Sequence, residues 1–508
     1  MNNVLLRSCA TLFLSLFTIA SASASPVEHP GCANLSAKQC VDLALAAMGG
    51  RDRLEQLKSV RLKTIGHTLL MEQSYRQDPF IASYERTETT LDFAGQRVLT
   101  KLTETWPEAD PKQSDTETTF VVGPEGGVTR GKDSDGPCGL GQLDTARQEL
   151  ALGPERLLLN ASAAGDLRYE APETLRSTVH AVVAFTWQKV PVRILLNSFN
   201  HLPDAVETTQ EFHDFWYFWG DVRQKIYFDN WKFSQNIVYP TNLVEERNGA
   251  LWRSTQILGL EFNVAIDEKL FAMDANMAKR SAASPGWKRP FHGDKPATLA
   301  PGIDMFPGAW NSTIVKQSDG IVILEAPIAE TYMHGVMDEA RKRYPGVPIK
   351  AVLSTSDSWP HTGGVRFAVS QKLPVFILDL NQPLLDQLMK APHTLDPDEL
   401  ETSKAAPRWK IVSGKEILGS GENRAELYPL RGASTERQYM VYFPDSRVLY
   451  ASDTLVLNDD GSLYDPQLMH EVAQAVEREN LKVDTVFAMH QGPMPWKEVV
   501  ALLEKSQQ

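Results

Sequence analysis

One stretch limits the folds open to this chain more than any other. From Ala351 to Val365 it reads Ala-Val-Leu-Ser-Thr-Ser-Asp-Ser-Trp-Pro-His-Thr-Gly-Gly-Val. Ile349 to Leu353 is a short apolar run after Pro348, the pattern of a buried strand, and Gly363-Gly364 before Val365 opens a helix. Between the two lies a polar loop. A polar loop between a strand end and a helix start is where α/β folds put their chemistry.

The stretch resembles the signature of the metallo-β-lactamase superfamily, in which a strand ends in Thr-His-x-His-x-Asp-His and runs on to Gly-Gly. Thr355 matches the Thr, His361 the last His and Gly363-Gly364 the glycines, while Ser356, Ser358 and Pro360 stand where the pattern has His, His and Asp. Further motifs follow in the family's order. Asp319 to Pro327 resembles its early strand, and Tyr442-Phe443-Pro444 with Val448 to Asp453 resembles the late hairpin whose final Asp bridges two metals. Phe487 to Pro493 resembles the strand-end His and turn that close the site, and the loop His before the hairpin maps onto Ser434 in Gly432-Ala433-Ser434-Thr435. The resemblance covers roughly residues 302–504 and implies an α/β fold, a C-terminal αββα sandwich of two sheets covered by helices.

Carried over position by position, it also implies which ligands remain. The family's first metal is held at Ser356, Ser358 and Ser434, all neutral hydroxyls here, and three hydroxyls are too feeble a set to offset the dehydration of a divalent ion. Its second metal is held at Pro360, His361, Asp453 and His490, of which only the first has lost its ligand. Two imidazoles and a carboxylate can hold one zinc or iron ion on one face and leave positions open. Asp453 is then the only obvious nearby base. Each residue also has a structural reading: His490 filling a strand end, His361 capping the following helix, Asp453 accepting backbone hydrogen bonds in its turn. Alternation points Asp357 away from the serines. No Gly-x-Ser-x-Gly elbow surrounds Ser356 or Ser358, and His334, His393 and His470 make no metal spacing.

With 508 residues the chain is too long for one core. Residues 1–24 read as a signal peptide: Arg7, an apolar run from Ala10 to Ala20, then Ala22-Ser23-Ala24. That points to a secreted protein, with the short leader suggesting a bacterial periplasm, and no later stretch is apolar enough to span a bilayer. After the leader, 25–275 form a β-rich unit, 276–301 a Pro- and Ser-containing linker, and 302–508 the sandwich. In an oxidising compartment Cys32 can pair with Cys40, although Cys138 is an equally available partner for either. The formal net charge of −13 argues against nucleic acid, whose phosphate backbone needs a basic face.

In the first unit Leu35 to Leu57 has helical spacing with Ser36 as a cap, and Asp144 to Leu159 is the other helical stretch. Val60–Ile65, Thr87–Phe93, Thr118–Val122, Lys225–Phe233 and Leu251–Leu260 alternate as strands of a mostly antiparallel sheet or open half-barrel. The Gly49-Gly50 to Gly66 entry, Tyr239-Pro240, and Phe262 to Asp267 with Leu270-Phe271 resemble periplasmic lipoprotein carriers of the LolA type. The aromatic cluster Phe212, Phe215, Trp216, Tyr217, Phe218 and Trp219 is either the lining of an apolar ligand cleft or a packed sheet face or domain contact.

Two functions from different classes follow. The first is an exported hydrolase-like protein of metallo-β-lactamase fold with a degenerate, at most single-metal site. The second is a catalytically inactive pseudoenzyme that serves as a periplasmic module for a small-molecule or lipid-like ligand.

Overall fold

The computed structural model describes residues 29–73, 80–106, 115–293 and 295–506. The leader expected over 1–24 lies outside the described residues, among which no helix is long and apolar enough to cross a membrane.

The first unit is one antiparallel sheet of thirteen strands. Its order runs from Asp135–Pro137 through Gly126–Arg130, Thr116–Gly123, Arg97–Thr105 and Ala82–Asp92 to Ser59–Leu69. There the chain's late strand Ala250–Phe262 joins, pairing Val60 with Phe262, and Asn242–Arg247, Val222–Asp229, Pro203–Gln210, Val190–Asn197, Thr178–Trp187 and Arg168–Leu175 follow. Alternation sends Val60, Val98, Val183, Phe185, Ile194 and Val206 to one face, where they pack on Val41, Ala44, Leu45, Leu143, Leu157 and Leu158 of the helices. Ser36 caps the helix Ala37–Ala47 with a full capping box through Gln39. The helical stretch expected over 144–159 is two helices, Leu140–Leu152 and Leu157–Ala163, because Gly153-Pro154 breaks it. Cys32 and Cys40 are disulfide-bonded, and Cys138 is a buried free thiol.

Part of the sheet is polar and threonine-rich. Thr64 and Thr87 share a hydrogen bond of 2.6 Å, Thr89 and Thr100 one of 3.2 Å, and Arg253 donates to Thr68 at 2.9 Å. Glu149 on the nearby helix makes no side-chain hydrogen bond among the described residues. Burial pushes its carboxyl from 4.5 up to about 7; Glu155 adds to this and Arg253 opposes it. A raised folded-state value means that the folded chain holds a proton which the unfolded chain has released. Stability therefore falls as pH rises from about 4.5 to about 7, by at most about 1.4 kcal/mol per pH unit. Glu149→Gln removes that slope; urea denaturation at pH 5 and pH 8 reads it, and an unchanged slope refutes the assignment.

Residues 276–301, expected as a linker, contain most of the helix Ala275–Ala282 and the strand Ala297–Ala300. That strand is the edge of a seven-stranded sheet continuing through Ile303–Phe306, Ser312–Gln317, Gly320–Leu324, Ile349–Leu353, Pro374–Leu378 and Arg408–Val412. A second sheet holds Glu416–Leu418, Ala425–Pro429, Tyr439–Phe443, Val448–Tyr450, Thr485–Phe487 and Met494–Pro495.

The period of two sorts each strand's side chains. Val322, Leu324, Leu353 and Leu378 meet Leu427, Val441, Phe443 and Phe487 between the sheets. Ile321, Ile323, Val352 and Ile377 face outward onto Met333, Val336, Phe367 and Leu385 of the covering helices. On the far side Met440, Tyr442 and Val486 pack on Met469, Val472, Val499 and Leu503. The result is the αββα sandwich expected, preceded by the antiparallel β unit. Within it Gly320–Leu324, Ile349–Leu353, Pro374–Leu378 and Arg408–Val412 run parallel, so their C-terminal ends share one edge.

Candidate metal centre

Three strand ends meet at that edge. Ile349–Leu353 leads into the loop and short helix Trp359–Thr362 that carry His361. Val448–Tyr450 leads to Asp453, and Thr485–Phe487, parallel to it, leads to His490. The loop is stitched across both sheets. Thr355 donates its hydroxyl and its N–H to Glu325, its hydroxyl shares a 2.7 Å bond with Ser452, and its carbonyl accepts from the Tyr439 N–H at 3.0 Å. Glu325 and Ser452 sit at φ 74° and 59°, left-handed backbone uncommon for such residues and held here by these bonds. Beyond His361 the two glycines are required by space. A Cβ at Gly363 would run into the Ile328 carbonyl, and one at Gly364 into Met333.

His361, Asp453 and His490 converge. The two Nε2 atoms are 3.2 Å apart, Asp453 Oδ2 lies 3.5 Å from His361 Nε2, and Oδ1 lies 3.3 Å from His490 Nε2. An ion with bonds of about 2.0–2.1 Å at tetrahedral angles sets its ligand atoms about 3.3–3.4 Å apart, so these edges fit one. The outer partners fit as well. His490 Nδ1 is 2.7 Å from the Ala309 carbonyl and therefore carries the proton, which leaves Nε2 its lone pair for the centre. His361 Nδ1 faces the Ser356 hydroxyl at 3.3 Å, and the Asp453 N–H donates to Gln438 at 3.0 Å.

The charges agree with a ligand set. Burial brings His361 down to about 4 against the pull of Asp453, so its imidazole is neutral at pH 7. Burial alone would raise Asp453, but the two histidines outweigh it and hold the carboxyl below its usual range. Burial opposes protonation of His490, yet the bond to Asp453 and the Ala309 carbonyl leave it above its ordinary value. A metal must displace that proton, which makes uptake pH-dependent.

The lost-ligand positions are elsewhere occupied. Ser356 serves His361, and the Ser358 carbonyl accepts from the His361 N–H at 3.0 Å. The Pro360 carbonyl accepts from Ile328 at 2.6 Å. Ser434 offers its N–H to the buried Glu471, at 3.1 and 3.2 Å, and Thr435 donates to the same carboxylate. Asp357 does turn away, paired at 2.7 Å with Arg437. The sequence reading passed over Glu325, Glu471 and Gln438. Glu471 had a signal, a carboxylate on the apolar face of Pro466–Arg478 between Leu468 and Val472.

The aromatic cluster does not line a cleft of the first unit's sheet; it is the contact between the two units. Phe215–Trp219 forms a 3₁₀ turn whose Trp216, Phe218 and Trp219 surround Trp359, two residues before His361. Tyr217 donates to the Ile328 carbonyl, and the Trp359 N–H donates to the Glu72 carbonyl at 3.1 Å.

No family model matches the chain, and no curated protein sequence matches it. Among solved structures, the metallo-β-lactamase from Pontibacter korlensis is similar at 16% identity over 42% of this chain and 99% of its own, with TM-score 0.33. A LolA superfamily protein from Nitrosomonas europaea is similar at 10% identity over 47% of this chain and 98% of its own, with TM-score 0.32. The stereoselective inverting sec-alkylsulfatase from Pseudomonas sp. is similar at 16% identity over 42% of this chain and 40% of its own, with TM-score 0.31.

Proposed function

We propose that the αββα unit is a single-metal hydrolase of metallo-β-lactamase type, with His361, Asp453 and His490 holding one zinc or iron ion. The observation that carries this is the convergence of two Nε2 atoms, 3.2 Å apart, on the Asp453 carboxylate, one oxygen 3.5 Å from His361 and the other 3.3 Å from His490, with each imidazole's far nitrogen facing an oxygen. When bound, the ion supplies Lewis acidity and a water of lowered pKa, the chemistry for an ester, thioester or amide. The chain's own part is separate. Ala309 and Ser356 keep the two Nε2 atoms aimed inward, and the Asp453 carboxylate is the nearby group able to act as general base. The hydroxyls of Ser356, Ser358 and Ser434 offer nothing to a first ion, so the centre works without a two-metal clamp.

That loss also favours the second reading, a pseudoenzyme retained for ligand binding. Metal analysis separates the two. After reconstitution and desalting, about one equivalent of zinc or iron supports the hydrolase, and less than about a tenth of an equivalent overturns it. We place the protein outside the cytoplasm, in a periplasm. The leader over 1–24 and the disulfide Cys32–Cys40 support that compartment.

A further inference from the structure

A cation near this centre has no carboxylate to answer it among the described residues. Arg289 belongs to the segment joining the two units, and its guanidinium lies 5.4 Å from the ring centre of Trp287 and 5.7 Å from that of Trp310. Trp310 in turn meets the His490 ring edge-on at 6.1 Å, and its neighbour Ala309 is the residue that holds His490 Nδ1. Three of the sandwich's buried or half-buried arginines are paired: Arg343 with Asp304 and Glu339, Arg366 with Asp398, Arg437 with Asp357. The polar contact of Arg289 is Nε to the Gly286 carbonyl, 3.1 Å, which orients the fork and neutralises nothing.

Its setting is rigid. Trp287 lies flat on Tyr217 with ring centres 4.2 Å apart and donates its indole N–H to the His213 carbonyl at 3.1 Å. The Trp310 carbonyl accepts from the Tyr332 hydroxyl at 3.3 Å. Both rings are therefore fixed, packed on each other with centres 5.7 Å apart, and the half-buried Arg289 lies against the pair. Its terminal nitrogens, unengaged among the described residues, match a carboxylate in two parallel hydrogen bonds, and the adjoining indole pair suits a flat group attached to it.

We propose that Arg289, against the Trp287–Trp310 pair, binds the carboxylate of an aromatic or otherwise flat acid, and that the substrate of the neighbouring centre is an ester or amide bearing such a group. As a statement about substrate this rests on His361, Asp453 and His490 being a metal centre. As a statement about anion binding it does not.

Benzoate and its neutral counterpart benzamide, titrated into the zinc-free full chain and followed by tryptophan fluorescence, test it. Saturable benzoate binding is expected, with benzamide and the Arg289→Gln variant each weaker by about tenfold or more, the loss for one charge-assisted pair. Arg289→Lys keeps the charge without the fork, recovers part of the affinity, and decides the matter should Arg289→Gln fail to fold. Equal benzoate binding by wild type and variants, equal binding of benzamide, or no saturable binding overturns the proposal. Zinc uptake is measured separately on reconstituted aliquots of the same preparations. Failure of wild type and variant alike to take up zinc overturns the metal reading and leaves the carboxylate site to the benzoate titration.

Discussion

His490→Ala abolishes uptake of the single ion and the rise in melting temperature that the ion confers, whereas Ser356→Ala still fills to one equivalent at saturating metal. The asymmetry follows from position. His490 Nε2 is 3.2 Å from His361 Nε2 and 3.3 Å from Asp453, so removing it leaves one imidazole and one carboxylate, too few to replace the ion's water. Ser356 stands behind the ligand, 3.3 Å from His361 Nδ1, and its loss costs orientation only, of the kind worth about ten- to a hundredfold in affinity. Binding to the folded state alone at about a hundred times Kd adds about 2.7 kcal/mol, a shift that calorimetry resolves. Should both variants lose the ion, or neither, the half-site formed by His361, Asp453 and His490 is not where the metal sits.

Several parts of this arrangement were legible in the sequence because they are local. The apolar run 349–353 and the capping Ser36 each declare an element within a few residues. The site residues were legible through motif order, since each follows a strand end and the strand ends share an edge. What escaped is long-range or short. The pairing of Ser59–Leu69 with Ala250–Phe262, which makes two halves into one thirteen-stranded sheet, leaves no trace in either strand's own pattern. Ala297–Ala300 has four residues, too few for alternation to show. His361 belongs to a one-turn helix, Trp359–Thr362, because Pro360 suits a first turn, where its missing N–H costs nothing. Whether the aromatic cluster lines a cleft, packs a sheet face or makes a domain contact could be decided only by its partner, Trp359, more than a hundred residues away.

That partner carries the other large effect. Trp359→Ala is expected to destabilise the chain by about 3–5 kcal/mol, the cost of emptying a large aromatic site that cannot collapse. Trp359 is 3% exposed, lies parallel to Phe218 with ring centres 5.5 Å apart, and meets Trp216 and Trp219 edge-on at 5.0 and 5.5 Å. Those three rings belong to the first unit and the loop to the second, so the cavity opens in the joint between them. Trp359→Phe keeps the parallel stack and removes an indole N–H that has no acceptor among the described residues, so it costs about 1 kcal/mol or less. Urea denaturation of both variants reads the difference. The metal readout separates packing from positioning: His361 lies two residues on, and Gly363 is wedged between the Ile328 carbonyl and Tyr217. A loop freed from the aromatic turn therefore binds zinc more weakly even under conditions where Trp359→Ala remains folded. A loss below about 1 kcal/mol, within the range of an ordinary surface change, with zinc affinity unchanged would mean that the first unit merely abuts the centre and does not help to build it.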